Sequence, residues 1–393
     1  MSEKKNLNIE ETFALAIQNH KKKNFKAAEN LYEEILRKNP NYINAYNNLG
    51  ILFNQLGEYK KSMNCYEKAI QIQPNNTNTY NNLGNLNKEL GEHQKAINFY
   101  ERAIQINPNH TVAYSNLGST FKELGEHQKA INCYEKIIQI DPNNLTSHWL
   151  SMNIFPVIYK DLNEIEHYRK RFENCIEKIN KLIDTQSTLT KKELINAIES
   201  STNFFLHYQG KDDLELQKRY ANLIEKITKK IYKEFDLKKK NTPSGNIKIG
   251  FISSFFRKHT VSKLFKNWVF KLDKKNFEKF IYYVGDKFDD VTKEIKNDAD
   301  YFFNNTNVNQ IIRQISEDNL DVLIYLDIGM SSKIQILSSL RLAPVQCNTW
   351  GHPMTSGFKN IDYFISNELM ENESSKKYYS ENLICLPGLG ISY

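Results

Sequence analysis

Arg341-Leu342-Ala343-Pro344-Val345-Gln346-Cys347-Asn348-Thr349-Trp350-Gly351-His352-Pro353-Met354-Thr355-Ser356-Gly357 is the stretch on which the reading of this chain turns. It begins as the tail of an amphipathic helix, runs through a short apolar strand at 344–349, and breaks into a turn built from Gly351, Pro353 and Gly357. Glycine relieves steric limits on the backbone and proline fixes φ, so the loop is shaped rather than slack. His352, Thr355 and Ser356 are placed in it. A shaped loop after a strand, carrying polar and small residues, is where α/β proteins hold ligands. The plainer alternative is an ordinary connection with polar decoration.

Working outward, 247–252, 277–284, 320–326, 344–349, 361–365 and 383–386 read as short apolar strands. Helical stretches at 261–272, 291–302, 308–317 and 332–340 alternate with them. That alternation predicts a parallel sheet covered on both faces, a Rossmann-like α/β unit over 246–393. Sites in such sheets lie beyond the C-terminal strand ends, near the point where strand order reverses. The loops 253–259, 327–330 and 351–357 are expected to converge there. His259 stands just before Thr260, which reads as a helix cap, and a histidine there can accept a proton or bond a substrate hydroxyl. By position alone, a helix-start histidine satisfied by the backbone is the simpler account. Asp327 reads as a supporting group or as a cap for the helix that follows.

The first half carries a different signal. Tyr46-Asn47-Asn48-Leu49-Gly50 recurs as Tyr80-Asn81-Asn82-Leu83-Gly84 and as Tyr114-Ser115-Asn116-Leu117-Gly118, each step being 34 residues. Pro40, Pro74, Pro108 and Pro142 keep the period, as do Gly57, Gly91 and Gly125, and Tyr32, Tyr66, Tyr100 and Tyr134. A 34-residue helix–turn–helix period marks tetratricopeptide repeats. The expected organisation is a polar tail over 1–11, an α-solenoid of about four repeats over 12–152, and a helical connector and linker over 153–245. Asn48, Asn82 and Asn116 share one repeat position and predict a column along the concave face. Their amides suit the backbone of an extended polypeptide, or else stabilise the stack itself.

Composition bounds the partners. At 40% hydrophobic and 25% charged residues the chain is ordinary for a globular protein. Its net charge of +7 is spread along the sequence, which argues against nucleic acid. The dense patch at 226–240 reads as a solvated helix end. The five cysteines are scattered with no metal spacing, and no apolar run approaches the length of a membrane span. These features predict a cytoplasmic protein without a membrane partner or a metal.

Residues 341–357, followed by Ile361-Asp362-Tyr363-Phe364-Ile365-Ser366, resemble the acceptor-side catalytic domain of the protein O-GlcNAc transferase family, including its bacterial SPINDLY-like members. Ile249-Gly250-Phe251-Ile252-Ser253-Ser254-Phe255-Phe256-Arg257-Lys258-His259-Thr260 resembles the family segment whose histidine lies at the acceptor hydroxyl. Ser200 to Gly210 resembles the bacterial helical connector, with a packed spacer as its plain reading. The resemblance implies the first half of a GT-B glycosyltransferase. It implies inverting transfer of N-acetylglucosamine from UDP-GlcNAc, or of fucose from GDP-fucose, to Ser or Thr of a polypeptide held by the repeats. Inversion needs one displacement at a polarised hydroxyl and no covalent nucleophile or metal. His259 is then the catalytic candidate. Asp327, Gly351, His352, Pro353, Thr355, Ser356 and Gly357 would surround the sugar, although the family motif does not require histidine at 352. Asn48, Asn82 and Asn116 would meet the peptide. Family members continue into a second Rossmann-like domain, here expected to be absent, so the chain is expected to be incomplete alone or complemented by a second polypeptide. The rival is a tetratricopeptide scaffold with a degenerate transferase domain.

Overall fold

The computed structural model describes residues 8–232, 245–388 and 390, and the chain divides into two compact units at Ser147 and His148. The linker expected at 238–245 and the far half of the lysine-rich patch fall largely outside the described residues, as does most of the N-terminal tail.

Among the described residues of the first unit, eight helices pair in sequence. They are α1 (Ile9–Lys21) with α2 (Phe25–Lys38), α3 (Ile43–Gln55) with α4 (Tyr59–Ile72), α5 (Thr77–Glu89) with α6 (His93–Ile106), and α7 (Thr111–Glu123) with α8 (His127–Ile140). The tail is shorter than expected: the Asn8 side chain accepts from the Glu11 amide and Glu11 returns a bond to Asn8, a capping box that starts α1 at Ile9. Each helix pair is a helix–turn–helix unit. Gly57, Gly91 and Gly125 end the first helix of a pair at φ of 74°, 75° and 75°, a left-handed turn that only glycine adopts freely. Gly84 serves packing instead. A Cβ there would lie 2.3 Å from the Tyr100 ring, so the glycine and tyrosine periods are two sides of one contact.

The division into units falls within α9 (Leu145–Met152). The second unit then holds α10 (Leu162–Thr185), α11 (Lys191–Ser200), a 3-10 turn (Phe204–Gln209) and α12 (Leu214–Ile231). The later half of the connector is thus broken into three pieces, and Gly210 makes the second break at φ 64°. The sheet unit follows as β1 (Ile247–Ser253), α13 (Thr260–Phe270), β2 (Phe277–Tyr283), α14 (Asp290–Asp298), β3 (Tyr301–Asn304), α15 (Val308–Asp318), β4 (Val322–Tyr325), α16 (Ser332–Ser338), β5 (Val345–Thr349), β6 (Tyr363–Asn367) and β7 (Asn382–Leu386).

All pairings are parallel and the order is β3-β2-β1-β4-β5-β6-β7. The chain winds outward from β1 to β3, crosses back over β1, and winds the other way, so strand order reverses between β1 and β4. One strand corrects the sequence reading. Residues 301 and 302 close no helix; they open β3. α14 is capped by Asp289 and ends at Asp298, and Asp300 turns its carboxylate onto the Lys279 amide at 2.8 Å, which leads the aromatic run 301–303 onto the edge of β2.

The connector is part of this unit and lies against the sheet's helices and loops. Gln217, buried on α12, accepts from Asn203 at 2.7 Å and donates to the Ser356 carbonyl at 3.0 Å. Glu225 accepts the Lys359 amide at 2.9 Å, and Ser339 donates to Thr228 at 3.0 Å. Among the described residues no helix is long and apolar enough to cross a membrane.

Candidate active site

The three loops expected to converge do so, because β1, β4 and β5 are neighbours and parallel. Beyond β1 the Ser254 amide donates to Asp327 Oδ2 at 3.2 Å, tying the first loop to the second. His259, rather than Thr260, caps α13. Its Nδ1 accepts the Val261 amide at 3.2 Å, and its ring stacks on Phe255 with centroids 4.1 Å apart. Burial, and then the Arg257 charge, lower its pKa. A neutral ring with Nδ1 engaged as acceptor carries its proton on Nε2, so His259 presents a donor at its free edge.

Asp327 follows β4 by two residues and is fully buried. Burial raises its pKa to about 7 against the bonds from Ser254 and Ser253, and Oδ1 has no hydrogen-bond partner among the described residues. Gly329, at φ 95°, brings this loop onto the next one: a Cβ there would lie 2.6 Å from His352 Cδ2. His352 is buried, and burial together with the charge of His207 lowers its pKa to about 3. Its ring stacks on Phe204 at 4.8 Å and meets His207 edge-on at 5.0 Å, while Nε2 has no partner among the described residues.

The rest of the 351–357 loop is held by the fold. A Cβ on Gly351 would lie 1.9 Å from the Leu326 carbonyl oxygen, so glycine is what lets the loop cross the end of β4. Gly357, at φ 72°, backs onto the Gln217 peptide so closely that a Cβ there would lie 2.7 Å from it. Thr355 Oγ1 donates to Glu381 Oε2 at 2.7 Å, the Ser356 amide donates to Glu381 Oε1 at 2.7 Å, and the Ser356 hydroxyl bonds the same carboxylate. Both hydroxyls assigned to the sugar are therefore engaged by a buried glutamate. Pro353 is exposed at the tip. Glu381, His207 and Phe204 are the residues sequence reasoning misses here, since each acts from a segment with no local pattern.

In the repeat unit Asn82 and Asn116 line one groove of about 470 Å³, together with Asn54, Gln55, Asn85 and Lys88. Asn48 is not among its lining residues, and its amide donates to the Asn44 carbonyl in its own helix at 3.0 Å. Asn116 also donates to the buried Asn81 at 2.9 Å, a bond between successive repeats. Among the described residues no group of three or more His, Cys, Asp or Glu could hold a metal ion.

A model described as glycosyl transferase family 41 matches residues 167–389, and tetratricopeptide repeat models match 44–109 and 75–143. The chain is 26% identical over 144 residues to an Arabidopsis thaliana protein named "Probable UDP-N-acetylglucosamine--peptide N-acetylglucosaminyltransferase SEC", covering 36% of this chain and 15% of the relative. It is 27% identical over 171 residues to the Petunia hybrida protein of the same printed activity named SPINDLY, covering 41% of this chain and 18% of the relative. Each match therefore spans less than a fifth of the relative's length. Among solved structures, a point mutant of the Thermobaculum terrenum O-GlcNAc transferase shares the fold at a TM-score of 0.51 and 17% identity, covering 88% of this chain and 57% of that one.

Proposed function

The chain belongs to glycosyl transferase family 41, and from that premise we propose that it is an inverting protein O-glycosyltransferase, moving N-acetylglucosamine from UDP-GlcNAc to Ser or Thr of a polypeptide. The observation that carries this reading is the meeting of the β1, β4 and β5 loops where strand order reverses, with His259 on the first of them. The acceptor oxygen attacks the anomeric carbon, the bond to the diphosphate breaks with its electron pair left on the nucleoside diphosphate, and the hydroxyl proton passes to an oxygen of that departing diphosphate. His259 contacts the acceptor hydroxyl through Nε2. With Nδ1 held by the Val261 amide, it donates a hydrogen bond and orients the oxygen rather than removing its proton. The repeat groove, rich in side-chain amides, holds the polypeptide.

The experiment that decides it is transfer to a Ser/Thr-rich polypeptide from UDP-GlcNAc and, separately, from GDP-fucose, with the mass added to the acceptor identifying the sugar. No added mass from either donor, with the chain alone and with a second Rossmann-like domain supplied alongside it, refutes the reading. His259→Ala is expected to lower transfer by roughly 10–100-fold, the scale of a lost charge-free hydrogen bond and lost orientation. His259→Gln, whose amide N–H can stand in for Nε2–H, is expected to recover most of that loss. A glutamine variant as poor as the alanine would make His259 a base instead.

A further inference from the structure

Most polar contacts of the connector serve packing, but one chain of buried groups ends at the candidate site. Arg169 on α10 donates to Asp213 Oδ1, to the Asp212 carbonyl, and to Gln209 Oε1 at 3.1 Å. The other oxygen of Asp213 lies 3.1 Å from His207 Nδ1. A carboxylate paired with a guanidinium offers only lone pairs, so the His207 atom facing it is an N–H. His207 is thereby fixed in orientation from α10, and its ring meets that of His352 at 5.0 Å and 66°.

His352 has no hydrogen bond at Nε2 among the described residues, so ring contacts hold it. Phe204 stacks on it at 4.8 Å, His207 meets it edge-on, and Gly329 leaves just enough room at Cδ2. Two of those three neighbours come from the connector turn Phe204–Gln209 rather than from the sheet. We propose that His207 is a positioning residue of the site, holding the buried His352 ring and with it the 351–357 loop that borders the bound acceptor; this rests on reading the sheet edge as the acceptor site. The chemistry favours a hydroxyl over a phosphate. Arg169 and Asp213 cancel each other's charge, and Asp327 on the neighbouring loop repels an anion when ionised.

Two substitutions separate the ring contact from the ion network. His207→Asn keeps an amide N–H where Nδ1 meets Asp213 but removes the ring beside His352. His207→Phe keeps a ring and removes the bond to Asp213. In the full chain labelled with ¹⁵N-histidine, His207→Asn is expected to move the ring-nitrogen signals of His352 and to raise the acceptor KM roughly tenfold, with kcat within about threefold, the pattern of lost binding rather than lost chemistry. His207→Phe is expected to lower stability more while disturbing those signals less. Unchanged His352 signals in His207→Asn overturn the positioning role whatever the kinetics. Shifted signals in His207→Asn with an unchanged KM overturn the role of the His352 loop in holding the acceptor. A wild-type chain that transfers no sugar, yet shows the NMR response, overturns the acceptor-site reading instead. Should His207→Asn not fold, unaltered His352 signals on replacing Asp213 by Asn, which loosens the same histidine, overturn the proposal.

Discussion

The two units treat buried polar groups in opposite ways. Along the solenoid they are passed from one repeat to the next: Thr79 donates to Asn47 at 2.9 Å, and Asn116 to Asn81 at 2.9 Å. The unpartnered buried side-chain atoms there, among the described residues, are Tyr32 Oη, Asn54 Oδ1 and His93 Nδ1, scattered over separate helices. At the C-terminal ends of β1, β4, β5 and β6 they crowd together: Ser254 Oγ, Asp327 Oδ1, both amide atoms of Asn348, Trp350 Nε1, His352 Nε2 and Asn367 Nδ2. An unmade buried hydrogen bond costs about 1–3 kcal/mol. A repeat that must stack on copies of itself is built to avoid that cost, whereas a sheet edge that tolerates it in one place is arranged for something other than stability.

The largest expected break in this comparison is a hidden pH dependence confined to the sheet edge. Folded Asp327 keeps its proton up to about pH 7, against 3.8 for an ordinary aspartate, so between those values the folded chain binds more protons and stability falls as pH rises. His352 is the reverse. Folded, it protonates only at about 3 against 6.5, so the unfolded chain binds more protons in between and stability rises with pH. From pH 4 to 6.5 the slopes oppose each other at about 1.4 kcal/mol per unit each. Asp327→Asn is expected to expose the His352 slope, a rise of roughly 3 kcal/mol across that window. All three tryptophans, Trp149, Trp268 and Trp350, lie in the second unit, so their fluorescence in denaturant titrations follows it. A variant whose stability stays flat between pH 4 and 6.5 removes the claim for His352.

Two glycines sharpen the contrast in backbone demand. Gly351→Ala puts a Cβ 1.9 Å from a backbone oxygen, which no rotamer relieves, and is expected to cost about 3 kcal/mol in the tryptophan-reported transition. Gly84→Ala meets the Tyr100 ring at 2.3 Å, a side chain that can shift together with its helix. About 2 kcal/mol is expected there, read by far-UV circular dichroism of the helices, with the tryptophan signal unmoved. Equal costs would mean that the close approach at the sheet edge is no more constraining than ordinary helix packing.

Legibility in the sequence follows the same division. The repeats announce themselves because each contact recurs at one sequence offset, so Gly84 and Tyr100 are visible as periods before they are visible as a contact. The alternation of strands and helices is equally local, and it places the three loops correctly. β3 escapes because its four residues continue the apolar spacing of a helix, and only pairing with β2 makes them a strand. Thr355 and Ser356 read as ligand-binding hydroxyls because their partner, Glu381, lies 25 positions onward from Ser356 with no pattern linking them. His207 is hidden for the same reason: its role depends on Asp213, Arg169 and His352 meeting in space. Periodic structure is written locally, and a site assembled across segments is not.

The smallest expected effect separates the two readings of the asparagine column. Asn82 lines the groove and makes no side-chain hydrogen bond among the described residues, whereas Asn116 lines it and also holds the buried Asn81 of the preceding repeat. If the position serves stacking, Asn116→Ala leaves the Asn81 oxygen unpartnered and costs about 1 kcal/mol, while Asn82→Ala changes stability by less than about 0.5 kcal/mol. If it also serves an extended polypeptide, Asn82→Ala weakens binding of a Ser/Thr-rich peptide about threefold to tenfold with its melting point unmoved, the worth of one backbone hydrogen bond. Fluorescence anisotropy of a labelled peptide on the full chain reads the second quantity and thermal melting reads the first. Binding that falls only in the variant that also melts early would make the column a stacking device, and Asn85 and Gln55, which line the same groove, would become the next residues to replace.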